Sequence, residues 1–165
     1  MLLSTLTALA VILLDFMTKH AVKASMTLGE SFEVIPGLFN ITYVLNKGAA
    51  WGMLADRRWI FLSFSVIAII VVAVILYRVR RDSKFLIVSL SLILGGGIGN
   101  MIDRTFYGDK LFEGAVIDFI EAAFIDFPVF NIADSAVVVG AVMLFVYVLF
   151  LDKDRVVKSE DKIDE

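Results

Sequence analysis

Two acids stand where a solvated carboxylate is hard to explain. Asp118 is flanked by Val116, Ile117, Phe119 and Ile120, and Asp134 opens an apolar run in the stretch FNIADS, 16 residues later. Two carboxylates brought within a few ångströms of each other share one proton. One then acts as general base on a water while the other donates to a carbonyl oxygen, the chemistry of an aspartic protease. A plainer role is open for the second acid: Asn131 or Asp134 suits a helix cap, and an acid in the first turn suits the helix dipole. Composition narrows the remaining options. The 165-residue chain has no cysteine and one histidine, His20. That argues against a thiol nucleophile, a disulfide framework, a Cys or His metal site and a Ser-His-Asp triad. No metal or other cofactor is expected, and with 18 acids against 15 bases the chain carries no nucleic-acid footprint.

Other polar residues interrupt apolar stretches. Asp15 and Lys19 are spaced i, i+4, so they share a helix face and can pair, either as a structural ion pair near the outer interface or as part of a site. Asn100, Asp103 and Arg104 share a face at i, i+3, i+4, as a site or as an ordinary helix end facing water, just after the small-xxx-small pair Gly95 and Gly99. Charges in hydrocarbon cost roughly 2.5–3.5 kcal/mol on insertion scales, which makes each of them informative.

The elements that must carry these residues follow from hydropathy. Hydrophobic residues make up 59% of the chain and charged residues 20%, more apolar than an ordinary soluble domain. Stretches 2–22, 59–77, 85–102 and 133–151 are each near the ~20 residues that span a bilayer. The first lacks the basic n-region of a cleaved signal peptide and contains Asp15, so it is expected to be a retained helix. The loop 78–84 holds Arg78, Arg80, Arg81 and Lys84 against Asp82, which places it, and with four spans both termini, in the cytoplasm. Loops 23–58 and 103–132 then face outward. In the first, Ile41, Tyr43 and Leu45 alternate with Asn40, Thr42, Val44 and Asn46 after a Pro36-Gly37 turn, predicting a small β-structure at the membrane surface, apolar on one side. Trp51 and Trp59 suit the interfacial aromatic belt. In the second, residues 115–124 read either as a short amphipathic helix, with Val116, Phe119, Ile120 and Ala123 on one face, or as a strand. The expected organisation is one four-helix membrane domain, 1–151, and a charged cytoplasmic tail, 152–165, with no assigned role.

Five motifs occur in order: Asp15-x-x-Thr18-Lys19; Asn46-Lys47-Gly48-Ala49-Ala50-Trp51-Gly52; Gly99-Asn100-Met101-Ile102-Asp103-Arg104; Gly114-Ala115-Val116-Ile117-Asp118-Phe119; and Phe130-Asn131-Ile132-Ala133-Asp134-Ser135. Together they resemble bacterial lipoprotein signal peptidase (signal peptidase II), over nearly the whole chain except the tail. The resemblance implies four helices with a small extracytoplasmic β-cradle. It implies a membrane aspartic endopeptidase that removes the signal peptide from diacylglyceryl-modified prolipoproteins, cutting just before the lipidated cysteine. Asp118 and Asp134 match the family's catalytic pair. Asn46, Gly48, Asn100, Asp103, Arg104, Asn131 and Ala133 match positions that shape or support the site, as do Asp15 and Lys19 in the first helix. The implied partners are the prolipoprotein, membrane lipid and globomycin-type inhibitors, and the implied state is a monomer in the bacterial cytoplasmic membrane with its site near the outer face. The chain departs from the family at Phe16, where Gln is frequent, and in a longer stretch over 105–113.

Two other functions remain open at this point. A small transport or ion-pathway subunit would use Asp15 and Asp103 to carry protons or cations. A structural assembly factor would pack a partner against the Gly-rich third helix.

Overall fold

The computed structural model describes residues 1–48 and 58–151. Trp51, the Ala49–Gly52 part of the second motif and the tail 152–165 lie outside the described residues. Four helices run α1 (Leu2–Ser25), α2 (Arg58–Arg78), α3 (Lys84–Phe106) and α4 (Ile132–Val146), the last continued by a π-helical turn, Tyr147–Leu151. All four are long and apolar enough to cross a membrane. Three strands, β1 (Ser31–Ile35), β2 (Phe39–Asn46) and β3 (Val116–Ala122), form one antiparallel sheet in the order β1-β2-β3. The sheet follows the C-terminal ends of α1 and α3 and precedes the N-terminal ends of α2 and α4. The short basic turn between α2 and α3 lies at the opposite end of the bundle.

α3 is the central helix, and its glycines explain how closely its neighbours approach. A Cβ built on Gly95 would lie 2.9 Å from the Ala8 carbonyl oxygen of α1, and one on Gly96 would run into the Ala133 carbonyl of α4. A Cβ on Gly99 would lie 2.9 Å from Asp15 Oδ2. Gly140 of α4 meets the Ser89 carbonyl of α3 in the same way. Backbones can come this near only where the side chain is missing. α2, by contrast, is apolar all round and mostly exposed, with Phe64, Ile67 and Ile70 pointing outward, the surface expected of a helix that lipid covers.

Residues 116–122 take the strand alternative. Val116, Phe119 and Ile120 fit the helical period, but pairing with β2 decides for the strand: Leu45 lies opposite Ile117 and Asn46 opposite Val116. A register shift between Ile41 and Val44 brings Val44 opposite Asp118. It also divides the expected apolar side of β2. Tyr43 and Ile41 pack with Val22, Ile117 and Phe119, whereas Leu45 is exposed. β1 is exposed throughout. Trp59 is exposed at the start of α2.

The helices also run past the predicted boundaries. α3 continues to Phe106, so Asp103 and Arg104 belong to its last turns and not to a water-facing loop. Asp103 is buried, which is tolerated because its charge is paired, as described next.

Candidate active site

Lys19 organises the inner layer of the site. It is among the largest fully buried side chains, and its ammonium meets three acceptors: Asp15 Oδ2 at 2.7 Å, Asp103 Oδ2 at 2.8 Å and Asn100 Oδ1 at 3.0 Å. Three hydrogens meet three oxygens, so no donor is stranded. The other Asp15 oxygen accepts the backbone N–H of Ala133 at 3.0 Å, tying α1 to the first turn of α4. Asp103 Oδ2 also accepts the Ile117 N–H at 3.4 Å, tying α3 to β3. The acids that invited an ion-pathway reading are thus held in a closed ion pair.

Asn100 carries the network outward. Its Oδ1, already bonded to Lys19, accepts from Asn131 Nδ2 at 3.0 Å, and its Nδ2 donates to Asp134 Oδ1 at 2.7 Å. Asn131 is completely buried at the N-cap of α4. Its Oδ1 accepts the Asp134 N–H at 2.9 Å while its own N–H donates to Asp134 Oδ2 at 3.2 Å, a reciprocal capping box. Asn131 and Asp134 therefore share the cap that the sequence offered to either. The Asn131 Nδ2 group also donates to Asp118 Oδ1 at 2.6 Å. Asp118 Oδ2 accepts from Asn46 Nδ2 at 3.0 Å, since the bulge in β2 puts Asn46 on the same face of the sheet. Asn46 in turn receives the Gly48 N–H on its Oδ1 at 3.0 Å, and the Gly48 carbonyl accepts from Arg104 at 3.3 Å.

The site residues expected from the sequence are therefore found in one connected cluster, drawn from α1, the end of β2, α3, β3 and α4. Asp118 and Asp134 are both bonded to Asn131, and both line one cavity of about 710 Å³. Its polar end holds Asn46, Asn100, Arg104 and the two acids; its long wall is apolar, built by Ile69 and Val72 of α2, Ile93 of α3 and Val138 of α4. Arg104 lies in the electrostatic field of Asp134, Asp118 and Asp103. Burial pushes the Asp118 carboxyl up to about 7, the charge of Asp134 adds to the rise, and the amide bonds from Asn46 and Asn131 oppose it. A carboxyl that is protonated near neutral pH beside a second carboxylate, in a cavity with one apolar wall, is equipped for proton transfer to and from an extended apolar ligand with a polar scissile group.

Some contacts had no sequence signal. Arg58, at the start of α2, donates to the Arg104 carbonyl in the last turn of α3 and to the Phe112 and Gly114 carbonyls of the segment leading into β3. Phe16 stacks on His20, with ring centroids 3.9 Å apart, and His20 Nε2 lies 2.5 Å from the Tyr107 hydroxyl. Phe16 and His20 share a face at i, i+4, but neither spacing nor residue type points to the Arg58 and Tyr107 pairings.

Residues 7–150 match the family model described as signal peptidase (SPase) II. The lipoprotein signal peptidase of Geobacillus kaustophilus (strain HTA426) is 42% identical over 145 residues, covering 87% of this chain and 90% of that protein. That of Staphylococcus aureus (strain JH9) is 36% identical over 162 residues, covering 97% and 94%. A bacterial membrane enzyme solved by the in meso method at 2.3 Å resolution superposes with a TM-score of 0.74 at 35% identity, covering 92% of this chain and 90% of that one. A second, at 1.9 Å resolution, gives 0.76 at 37%, covering 89% and 92%. Four membrane-capable helices, a three-stranded sheet at one end and this run of relatives over most of its length leave one conclusion: the chain belongs to the signal peptidase II family of lipoprotein signal peptidases.

Proposed function

We propose that this chain is a membrane aspartic endopeptidase that removes the signal peptide from diacylglyceryl-modified prolipoproteins, cutting just before the lipidated cysteine. The observation that carries the reading is Asn131, one buried side chain and backbone that bonds Asp118 and Asp134 together. The proton of the pair resides on Asp118, whose carboxyl is pushed up to about 7. Asp134 takes a proton from a water held between the two, and the water oxygen attacks the scissile carbonyl. Asp118 donates to the carbonyl oxygen as the tetrahedral intermediate forms. Collapse returns that proton to Asp118, and the proton on Asp134 passes to the departing cysteine amine, so the pair ends as it began. Arg104 sits where it favours the negative charge that develops.

The apolar wall of the cavity supports the same substrate class. The signal peptide and acyl chains stay beside lipid while the scissile bond reaches the acids, so the bilayer supplies part of the positioning. In this reading, residues 1–151 form the peptidase domain and both termini face the cytoplasm. The site lies near the outer face of the bacterial cytoplasmic membrane, a monomer suffices, and globomycin-type cyclic peptides compete for the cavity.

The test is cleavage of a diacylglyceryl-modified prolipoprotein by the purified protein in lipid bicelles, with the unmodified precursor as control. The reading expects a product beginning at the lipidated cysteine and little cleavage of the control. Equal cleavage of both, or a product with another N-terminus, would overturn it.

A further inference from the structure

Asp118 is reached from α3 through a loop that has little reason of its own to hold one shape. Residues 107–114 contain no helix or strand and carry Gly108, Asp109, Lys110 and Glu113 on the surface. The loop nevertheless folds back tightly on the end of α3. The Phe112 N–H donates to the Thr105 carbonyl at 2.9 Å, the Gly114 N–H to the Arg104 carbonyl at 3.1 Å, and the Ala115 N–H to the Tyr107 carbonyl at 3.3 Å. Gly114 leaves no room for a side chain: a Cβ there would run into the Asp103 carbonyl oxygen and lie 2.8 Å from the Tyr107 nitrogen. Phe112 adopts a left-handed backbone, φ 64°, a conformation that persists in a non-glycine residue only where its surroundings impose it.

What imposes it comes from another helix. Arg58 Nε donates to the Phe112 carbonyl at 2.6 Å, and its terminal nitrogen donates to the Gly114 carbonyl and, at 3.4 Å, to the Arg104 carbonyl. The guanidinium fork thus joins both arms of the loop at its base, and the Arg104 carbonyl belongs to the last turn of α3, where a positive charge is favoured. The Trp59 ring, one residue on, lies 6.2 Å from that of Phe112. Directly after Gly114 the chain becomes buried, from Ala115 through Phe119, so the clamp fixes the point from which β3 and Asp118 are launched.

We propose that Arg58 is a positioning residue for the reaction: by clamping the 107–114 loop to the end of α3 it sets the place of Asp118 against Asp134 and keeps water away from it. The proposal rests on the function proposed above. A planar fork with donors in fixed directions can serve three carbonyls at once, and a lysine ammonium on a flexible stem cannot hold them in the same plane. A displacement of about 1 Å at a reacting group is enough to cost on the order of 100-fold in rate.

The experiment compares wild type with Arg58→Ala, Arg58→Gln and Arg58→Lys, all in lipid bicelles with diacylglyceryl-modified prolipoprotein as substrate. Hydrogen exchange of the 114–119 amides is measured on the same samples, and inclusion of Gln and Lys covers the case in which Ala fails to insert. Expected are a kcat lowered about 10- to 100-fold with KM within about threefold, little recovery by Lys, faster exchange over 114–119, and an alkaline limb of the pH–rate profile moved to lower pH as water reaches Asp118. Wild-type kcat and pH limb in a variant whose 114–119 exchange is faster would overturn the proposal, as would unchanged exchange in all three. Wild type and Asp118→Asn run alongside keep the two readings apart. A wild type that does not cleave refutes the proposed function, whereas a cleaving wild type with fully active Arg58 variants refutes only the clamp.

Discussion

Replacing Asp118 with asparagine should stabilise the folded protein above neutral pH while abolishing cleavage. The Asp118 carboxyl has an ordinary value of 3.8 and is pushed up to about 7 in the fold, chiefly by burial. Between those values the folded form keeps a proton that the unfolded chain has released, so stability falls as pH rises across that window and levels off above it. Each pH unit is about 1.4 kcal/mol, and the two units between pH 5 and 7 are about 3 kcal/mol. The substituted amide does not titrate and escapes that loss. It brings a cost of its own, because Asn46 and Asn131 both donate to Asp118 and an amide offers only one acceptor, leaving donor facing donor at about 1–3 kcal/mol. The Asp118→Asn variant should therefore sit close to wild type at pH 5 and above it at pH 8. The quantity to measure is how the stability difference changes with pH, by reversible unfolding in mixed detergent micelles followed by far-UV circular dichroism. A difference that stays flat from pH 5 to pH 8 would refute the assignment of a buried proton to Asp118.

Three further outcomes follow from the same contacts. Lys19→Met leaves the buried carboxylates Asp15 and Asp103 without their cation and should cost about 3–5 kcal/mol by the same unfolding assay; a variant as stable as wild type would show that Lys19 does not neutralise them. Asn131→Ala removes the side-chain bond to the Asp118 carboxyl and the cap on the Asp134 N–H, leaving only the backbone bond to Asp134 Oδ2, and should lower kcat about 100-fold with the protein still inserted; an undiminished kcat would remove Asn131 from the site. Gly96→Val should prevent α3 and α4 from closing, since even a Cβ would run into the Ala133 carbonyl, whereas Gly97→Ala should be tolerated because it meets only the Ile69 side chain at 3.2 Å; thermal scans of both variants should separate them clearly, and equal behaviour would contradict the packing described.

How much of this was legible in the sequence depended on what kind of signal each feature leaves. Four long apolar runs declared the helices, because lipid demands length and hydropathy and little else. The acids were legible for the opposite reason: Asp118 among Val116, Ile117, Phe119 and Ile120 has no favourable place in water or in lipid. The nature of 116–122 was not legible, since a short, nearly continuous apolar run suits a helix or a buried strand, and pairing with Leu45 and Asn46 decides the outcome. Nor was the state of Asp103, which spacing left between a water-facing helix end and a site and which Lys19, 84 residues away in sequence, buries. Arg58 left no trace at all, because an arginine that grips backbone carbonyls needs no particular side chain at the other end.

The central claim is that Asp118 and Asp134 work as one pair on one water. It is tested most directly by single-turnover cleavage of diacylglyceryl-modified prolipoprotein by Asp118→Asn, Asp134→Asn and the double variant, each checked for correct insertion. The pair predicts that either single change abolishes cleavage about as completely as both together, because the two acids act as a unit. Substantial cleavage by either inserted single variant would contradict it.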